Sequence, residues 1–224
     1  MIKNISNLGD TALYCDFGNE VNKEINSKVI KYFKTLKDQN IEGINNLTPS
    51  YNKLIISFDM KKINFNEMKK KIESINIDKT QTNLPKKIEI PVCCDSAFTL
   101  DIKRLEKKLE LSKEKILENF FNKEYFCYMT GFIAGMPFLG DLDENMRANR
   151  LETPRVKVPK GSIGLTEKFA NVYTFESPGG WNIIGNTPLK VFDISRNEDP
   201  NLINPGDNVI FKEITLKEYN NYNE

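Results

Sequence analysis

Residues 131–188 read GFIAGMPFLGDLDENMRANRLETPRVKVPKGSIGLTEKFANVYTFESPGGWNIIGNTP, and this stretch decides the architecture of the chain. The sequence has 12 glycines, and Gly131, Gly135, Gly140, Gly161, Gly164, Gly179, Gly180 and Gly185 all fall here, with the only tryptophan, Trp181. Glycine serves where the backbone takes a positive φ or passes close to a neighbour. Proline fixes φ and removes a donor. A segment dense in both specifies turns between short strands, and loops held in this way carry function. After it, residues 189–193 and 209–211 read as strands, with Asn204-Pro205-Gly206-Asp207 as the turn between them and residues 219–224 as a frayed tail. Many short strands with Gly/Pro turns predict an antiparallel β-barrel or sandwich.

Around this core the composition sets bounds. At 224 residues the chain forms one large domain or two small ones. A hydrophobic share of 39% with 28% charged residues is ordinary for a folded protein. The formal net charge of +1 gives no global electrostatic case for nucleic acid or a membrane surface. Met1-Ile2-Lys3-Asn4 is not followed by the apolar stretch of a signal peptide, so a cytoplasmic location is expected. The most apolar run, 125–139, is too short for a membrane span and contains Pro137, and it reads as buried strand and turn. Cys15, Cys93, Cys94 and Cys127 form no C-x-x-C pair and read as buried or free thiols.

The sequence contains no histidine. That removes the usual general base, the Ser-His and Cys-His pairs, and the commonest zinc ligand. Any chemistry must use carboxylates, lysine, tyrosine, backbone amides or residues of another chain.

The first ninety residues alternate between two periods. Leu13, Cys15 and Phe17 alternate as a strand. Asn19 can cap a helix on which Val21, Ile25, Val29, Tyr32, Phe33 and Leu36 recur every three or four residues. Residues 43–49 form a loop or strand edge, and 53–58 a second strand. Asn64 and Glu67 have capping-box spacing ahead of a helix bearing Phe65, Met68, Ile72 and Ile75. Residues 87–92 read as a third strand. The pattern predicts a small α+β or βαβ-type domain over 1–92. No glycine-rich phosphate fingerprint follows its first strand, so a dinucleotide site is not expected. Residues 93–124 read as a helical connector, with Asp101 and Ser112 as caps and the Lys/Glu mixture as a solvated face.

Within the glycine-rich region each motif admits a structural and a chemical reading. Residues 131–140 can form an anion-binding nest of amides, or bends in a coiled sheet with Phe132, Phe138 and Leu139 in the core. Asp141, Asp143 and Glu144 lack the ordered pattern of a calcium loop and read as a solvated turn. Lys160-Gly161-Ser162 has the wrong order for a P-loop. Arg155 offers a forked donor for carboxylate or phosphate, or else a surface ion pair. In 176–181, ESPGGW, the paired glycines can present N–H groups to an oxyanion or carboxylate. Ser177 has no histidine to activate it as a nucleophile. Trp181 either lines a pocket or plugs the core.

The motifs GF-x-x-G-x-PFLG at 131–140, TPR at 153–155, VP-x-GSIG at 158–164 and ESPGGW-x-IIG-x-TP at 176–188 occur in order, followed by LKVFD at 189–193 and NPGD-x-V-x-F at 204–211. On these the chain resembles the family that comprises allophanate hydrolase subunit 1, the B subunit of 5-oxoprolinase (PxpB) and KipI-like proteins. The resemblance implies a small α+β domain followed by a mainly β, cyclophilin-like barrel, here over 125–224. It implies a component that works with a homologous barrel partner (the 5-oxoprolinase C subunit, or allophanate hydrolase subunit 2, type). A LamB/YcsF-like A subunit joins them in 5-oxoprolinase, where ATP drives the opening of 5-oxoproline to glutamate. ATP, with Mg²⁺, is then expected in the complex rather than on this chain alone. Regulation of a histidine kinase and carboxyl transfer in urea metabolism are the family's other roles.

The candidate substrate- or partner-binding residues are Gly131, Phe132, Gly135, Pro137, Phe138, Arg155, Ser177, Gly179, Gly180 and Trp181. No catalytic side chain and no metal site is assigned. The chain departs from the family pattern at Ala134, Met136, Asp141 and Asn186, and at Phe120, where relatives carry histidine.

Overall fold

The computed structural model describes residues 1–77, 85–197 and 199–222. The chain divides into two compact units, Met1–Leu84 and Pro85–Glu224. Among the described residues no helix is long and apolar enough to cross a membrane.

The first unit is built from β1 (Asn4–Asn7), β2 (Ala12–Asp16), α1 (Lys23–Gln39), β3 (Ile44–Pro49), β4 (Lys53–Phe58) and α2 (Phe65–Glu73). Its sheet has the order β1-β2-β4-β3 with every pair antiparallel. Period-two alternation on β4 buries Leu54, Ile56 and Phe58, and the helices add Val29, Tyr32, Leu36, Met68 and Ile72 to the same core. Helix α1 starts later than its sequence suggests. Asn22, rather than Asn19, is its cap and accepts the Ile25 N–H at 2.9 Å. The predicted capping box of α2 forms in full, with Glu67 N–H on Asn64 at 3.0 Å and Asn64 N–H on Glu67 at 3.2 Å. Strand β1, which no alternation marks, pairs with β2 through its backbone.

The second unit comprises β5 (Lys87–Cys93), α3 (Ile102–Leu109), α4 (Lys113–Phe121), β6 (Glu124–Thr130), β7 (Pro137–Gly140), β8 (Arg155–Val158), β9 (Ser162–Thr166), β10 (Phe169–Val172), β11 (Ser177–Gly179), β12 (Asn182–Asn186), β13 (Asn208–Ile214) and α5 (Leu216–Asn220). Seven strands close into a barrel in the order β10-β7-β6-β13-β5-β12-β9, and β8 with β11 forms a separate two-stranded ribbon. An α+β unit ahead of a barrel is the expected fold class.

Four expectations about this region change. The strand at 87–92 does not complete the first domain. It lies in the barrel, parallel to β13, because its alternating Ile90 and Val92 are fully buried in the barrel core. Residues 93–124 are not a free connector either. Ile102, Leu105, Ile116, Leu117 and Phe120 pack α3 and α4 into that same core. Residues 189–193 carry no strand, only a bridge between Phe192 and Asn201. Nor does the chain fray at Tyr219. Helix α5 has a capping box at Thr215 and Glu218, and the Tyr219 hydroxyl donates to Asn186 Oδ1 at 2.8 Å. The last two positions of the expected tail, 223 and 224, lie outside the described residues.

Candidate functional site

The ribbon β8–β11 organises the chemistry-bearing residues of the second unit. Ser177 pairs with Val158 and Gly179 with Arg155, with an irregular register between them. Arg155 Nη2 donates to Asp101 Oδ1 at 2.6 Å, across 54 residues of sequence. The Asp101 side chain is 5% exposed and that of Arg155 is 28% exposed. The second oxygen of Asp101 accepts the Ile183 N–H at 2.7 Å, and the Asp101 N–H donates to the Ile183 carbonyl at 3.0 Å. Asp101 precedes α3 as expected but makes no side-chain cap on it, because both of its oxygens are engaged at longer range. Arg155 Nη1 is buried and finds no acceptor among the described residues.

Close to this pair stand Tyr173, Trp181 and two further arginines. Burial raises the Tyr173 phenol above its ordinary value. Hydrogen bonds from Asn171 and the Trp181 backbone, and the charges of Arg150 and Arg155, oppose that shift. The Arg150 guanidinium lies 5.8 Å from the centroid of the Trp181 ring, within cation–π range. Arg104 Nη1 bonds to Asn182 Oδ1, and its two terminal nitrogens reach the Asn149 and Arg150 carbonyls at 3.4 Å each. Arg150 itself is exposed and pairs with no carboxylate among the described residues.

Trp181 is 5% exposed and packs with Met136, Val158, Tyr173 and Ile183, its ring edge-to-face with Phe138 at 5.6 Å. Of the two readings open for Trp181, the core plug is the one observed, with the guanidinium of Arg150 over its ring. Phe138 and Trp181 are thus brought together with Arg155 and the 177–180 segment around Tyr173. Ser177 Oγ is buried and finds no partner among the described residues. Gly180 uses its carbonyl to accept the Leu151 N–H at 2.7 Å.

The 131–136 loop is a turn rather than an anion nest. Its Gly131 N–H bonds to the Met136 carbonyl at 3.0 Å and Met136 N–H to the Ile133 carbonyl at 3.2 Å, so these donors are spent. Pro137 is buried, but Phe132, expected in the core, is 70% exposed at a φ of 70°. Gly135 sits against the Phe192 ring. The acidic cluster is likewise divided among partners. Asp141 accepts from the Tyr128 hydroxyl at 3.0 Å, Asp143 pairs with Lys123, and Glu144 with Arg147. At the Lys160–Ser162 turn, Gly161 N–H bonds to Tyr173 O at 2.7 Å and Ser162 N–H to Pro159 O at 3.2 Å. Those two amides are unavailable to a phosphate. The departures at Phe120 and Met136 are buried packing positions, and the buried Asn186 donates to the Lys160 carbonyl and accepts from the Tyr219 hydroxyl.

Local patterns single out Arg155 and Trp181 but not Asp101, Arg150 or Tyr173 as their neighbours. Asp101 carries the signature of a helix cap, and nothing local marks an arginine or tyrosine that meets its partner only across the barrel.

Similarity to known proteins gives the class to which this barrel and its ribbon belong. The chain belongs to the family of the carboxyltransferase domain, subdomain C and D, whose model matches residues 3–203. It is 33% identical over 232 residues to the B subunit of 5-oxoprolinase from Bacillus subtilis (strain 168), covering 98% of this chain and 96% of that protein. The solved structure of TTHA0988 superposes with a TM-score of 0.81 at 27% identity, over 91% of this chain and 40% of that one. The Kluyveromyces lactis urea carboxylase shares the fold, with a TM-score of 0.78 at 18% identity over 96% of this chain and 22% of that one.

Proposed function

We propose that the chain is the B subunit of an ATP-dependent 5-oxoprolinase, which hydrolyses 5-oxoproline to glutamate. It would act in the cytoplasm with a LamB/YcsF-like A subunit and a homologous barrel-bearing C subunit, and be inactive alone. The observation that carries this reading is the near full-length similarity to the B subunit of a 5-oxoprolinase. The geometry supports a definite share of the work. A guanidinium held by a buried carboxylate recognises a planar anion by its fork of donors. Arg155, with Arg150 nearby, supplies that recognition for the carboxylate of 5-oxoproline. The absence of histidine fits a site completed by side chains of a partner protein. ATP, with Mg²⁺, is assigned to the partners.

The test is ATP-dependent release of glutamate from 5-oxoproline by the assembled complex, with Arg155→Ala and Gly180→Val in place of the native chain. A Cβ at Gly180 meets nothing closer than 3.5 Å, so the first atom of the valine side chain is accommodated and its methyl groups narrow the segment beside Pro154. Turnover that requires this chain and drops at least about tenfold in kcat/KM in Arg155→Ala is the expected result, the loss of one charge-assisted contact. An assembled complex without turnover overturns the reading and favours regulation or carboxyl transfer.

A further inference from the structure

The pairing of Asp101 with Arg155 carries a role beyond packing. Three observations bear on it. Asp101 is nearly inaccessible, yet neither of its oxygens serves the helix that it precedes. One oxygen holds a single nitrogen of Arg155, and the other is fixed by the Ile183 amide, so the carboxylate cannot rotate. The guanidinium is therefore gripped at Nη2 while Nη1 stays buried with no acceptor among the described residues. A pair serving stability alone gains most by a bidentate contact, which uses both nitrogens. Leaving a charged donor buried and unsatisfied is costly in the free chain. The Arg155 side chain as a whole is 28% exposed, so an acceptor from outside can reach this one-sidedly held guanidinium.

We infer that Asp101 is a positioning residue: it orients Arg155 so that the partly exposed guanidinium presents its ungripped donors to the carboxylate of an incoming small organic acid. This rests on the function proposed above, where Arg155 meets the substrate. Asp101 touches no substrate and acts only through Arg155. The amide of Ile183 sets the angle of Asp101, and Ile183 itself packs with Trp181 in the apolar cluster beside the ribbon. The orientation is thus built from α3, β8 and β12 together.

The experiment compares wild type, Asp101→Asn, Asp101→Glu, Arg155→Ala and the Asp101→Asn/Arg155→Ala double variant in the assembled complex. Asparagine keeps an acceptor for the guanidinium but not the charge, and loosens the grip. The expected result is a KM for 5-oxoproline about tenfold higher in Asp101→Asn with kcat within about twofold, the pattern of lost ground-state binding. Asp101→Glu restores part of the KM. The double variant is no worse than Arg155→Ala, because a residue that works only through Arg155 has nothing left to position. Additive losses, or a melting temperature that falls while KM stays constant, overturn the inference.

A second measurement separates this from failure of the oxoprolinase reading. In the ¹⁵N-arginine-labelled full chain, the Arg155 side-chain resonances are followed while sodium acetate, and separately 5-oxoproline, is titrated in. A saturable shift in wild type that is lost in Asp101→Asn upholds the positioning role even where the complex shows no turnover. No shift with either carboxylate overturns it.

Discussion

The Tyr173 hydroxyl occupies the space in which a side chain on Gly179 would begin. A Cβ built there lies inside contact distance of the hydroxyl and 2.9 Å from Cζ. The adjacent Gly180 has room, its nearest neighbour being Pro154 Cγ at 3.5 Å. The two glycines of one dipeptide therefore serve different ends. Gly179→Ala is expected to cost about 1–3 kcal/mol through overpacking, whereas Gly180→Ala, at a buried position whose Cβ meets only ordinary contacts, costs less than about 1 kcal/mol. Urea unfolding followed by Trp181 fluorescence checks both, and equal losses in the two variants would refute the assignment.

Gly135 combines a backbone and a steric demand. Its φ is +69°, and a Cβ would lie 2.7 Å from Phe192 Cβ and 2.8 Å from Cγ. Alanine at this position meets the left-handed penalty of about 1–2 kcal/mol and an overpacking cost of about 1–3 kcal/mol. Adding Phe192→Ala to Gly135→Ala should relieve the steric share and leave the backbone share in place. A double variant as stable as wild type, or no more stable than the single one after correction for Phe192→Ala alone, would refute this division.

Stability should decline on the alkaline side for a reason visible in the cores. Burial pushes the Cys15 and Cys94 thiols up from an ordinary 9.0 to about 12, and in Cys94 Glu213 and Cys93 add to the rise. Burial also raises Cys127 and Tyr125. Below pH 9 both the folded and unfolded chains keep these protons, and the stabilisation is whole. Between pH 9 and about 12 the unfolded chain releases them first, so stability falls as pH rises through that window. Urea midpoints across the window check the sign, and Cys94→Ala should flatten the slope in the transition of the second unit. Reaction of native Cys94 with a maleimide near neutral pH, as fast as in urea, would contradict this.

What can be read in the sequence follows from how far each signal reaches. The capping box of Asn64 and Glu67 is legible because both partners lie within one helical turn. The burial of Leu54, Ile56 and Phe58 is legible because alternation is itself local. The same local logic misplaces residues 87–93. Their alternation marks a strand correctly but is silent on its partner, and the partner is β13. Asp101 fails in the same way, since a helix-capping position and a grip on Arg155 use the same residue type. Phe132 reads as core by hydrophobicity, yet a turn closed by Gly131 and Met136 turns it outward. Motif spacing finds the ribbon around Arg155 and Gly179, while Tyr173 and Arg150 belong to it only through closure of the barrel.

The place of Asn208–Ile214 in the barrel bears on how the protein is made. That strand lies between β6 and β5, and the adjoining Lys86 N–H bonds to Asp207, 121 residues away. On the ribosome, β5 therefore emerges at the start of the second unit and β6 before its middle, and each waits for β13 with that edge open. The first unit has the last of its strands by Phe58 and can complete its sheet during synthesis. The barrel that carries the arginine-bearing ribbon closes only when β13, the last of its strands in chain order, arrives.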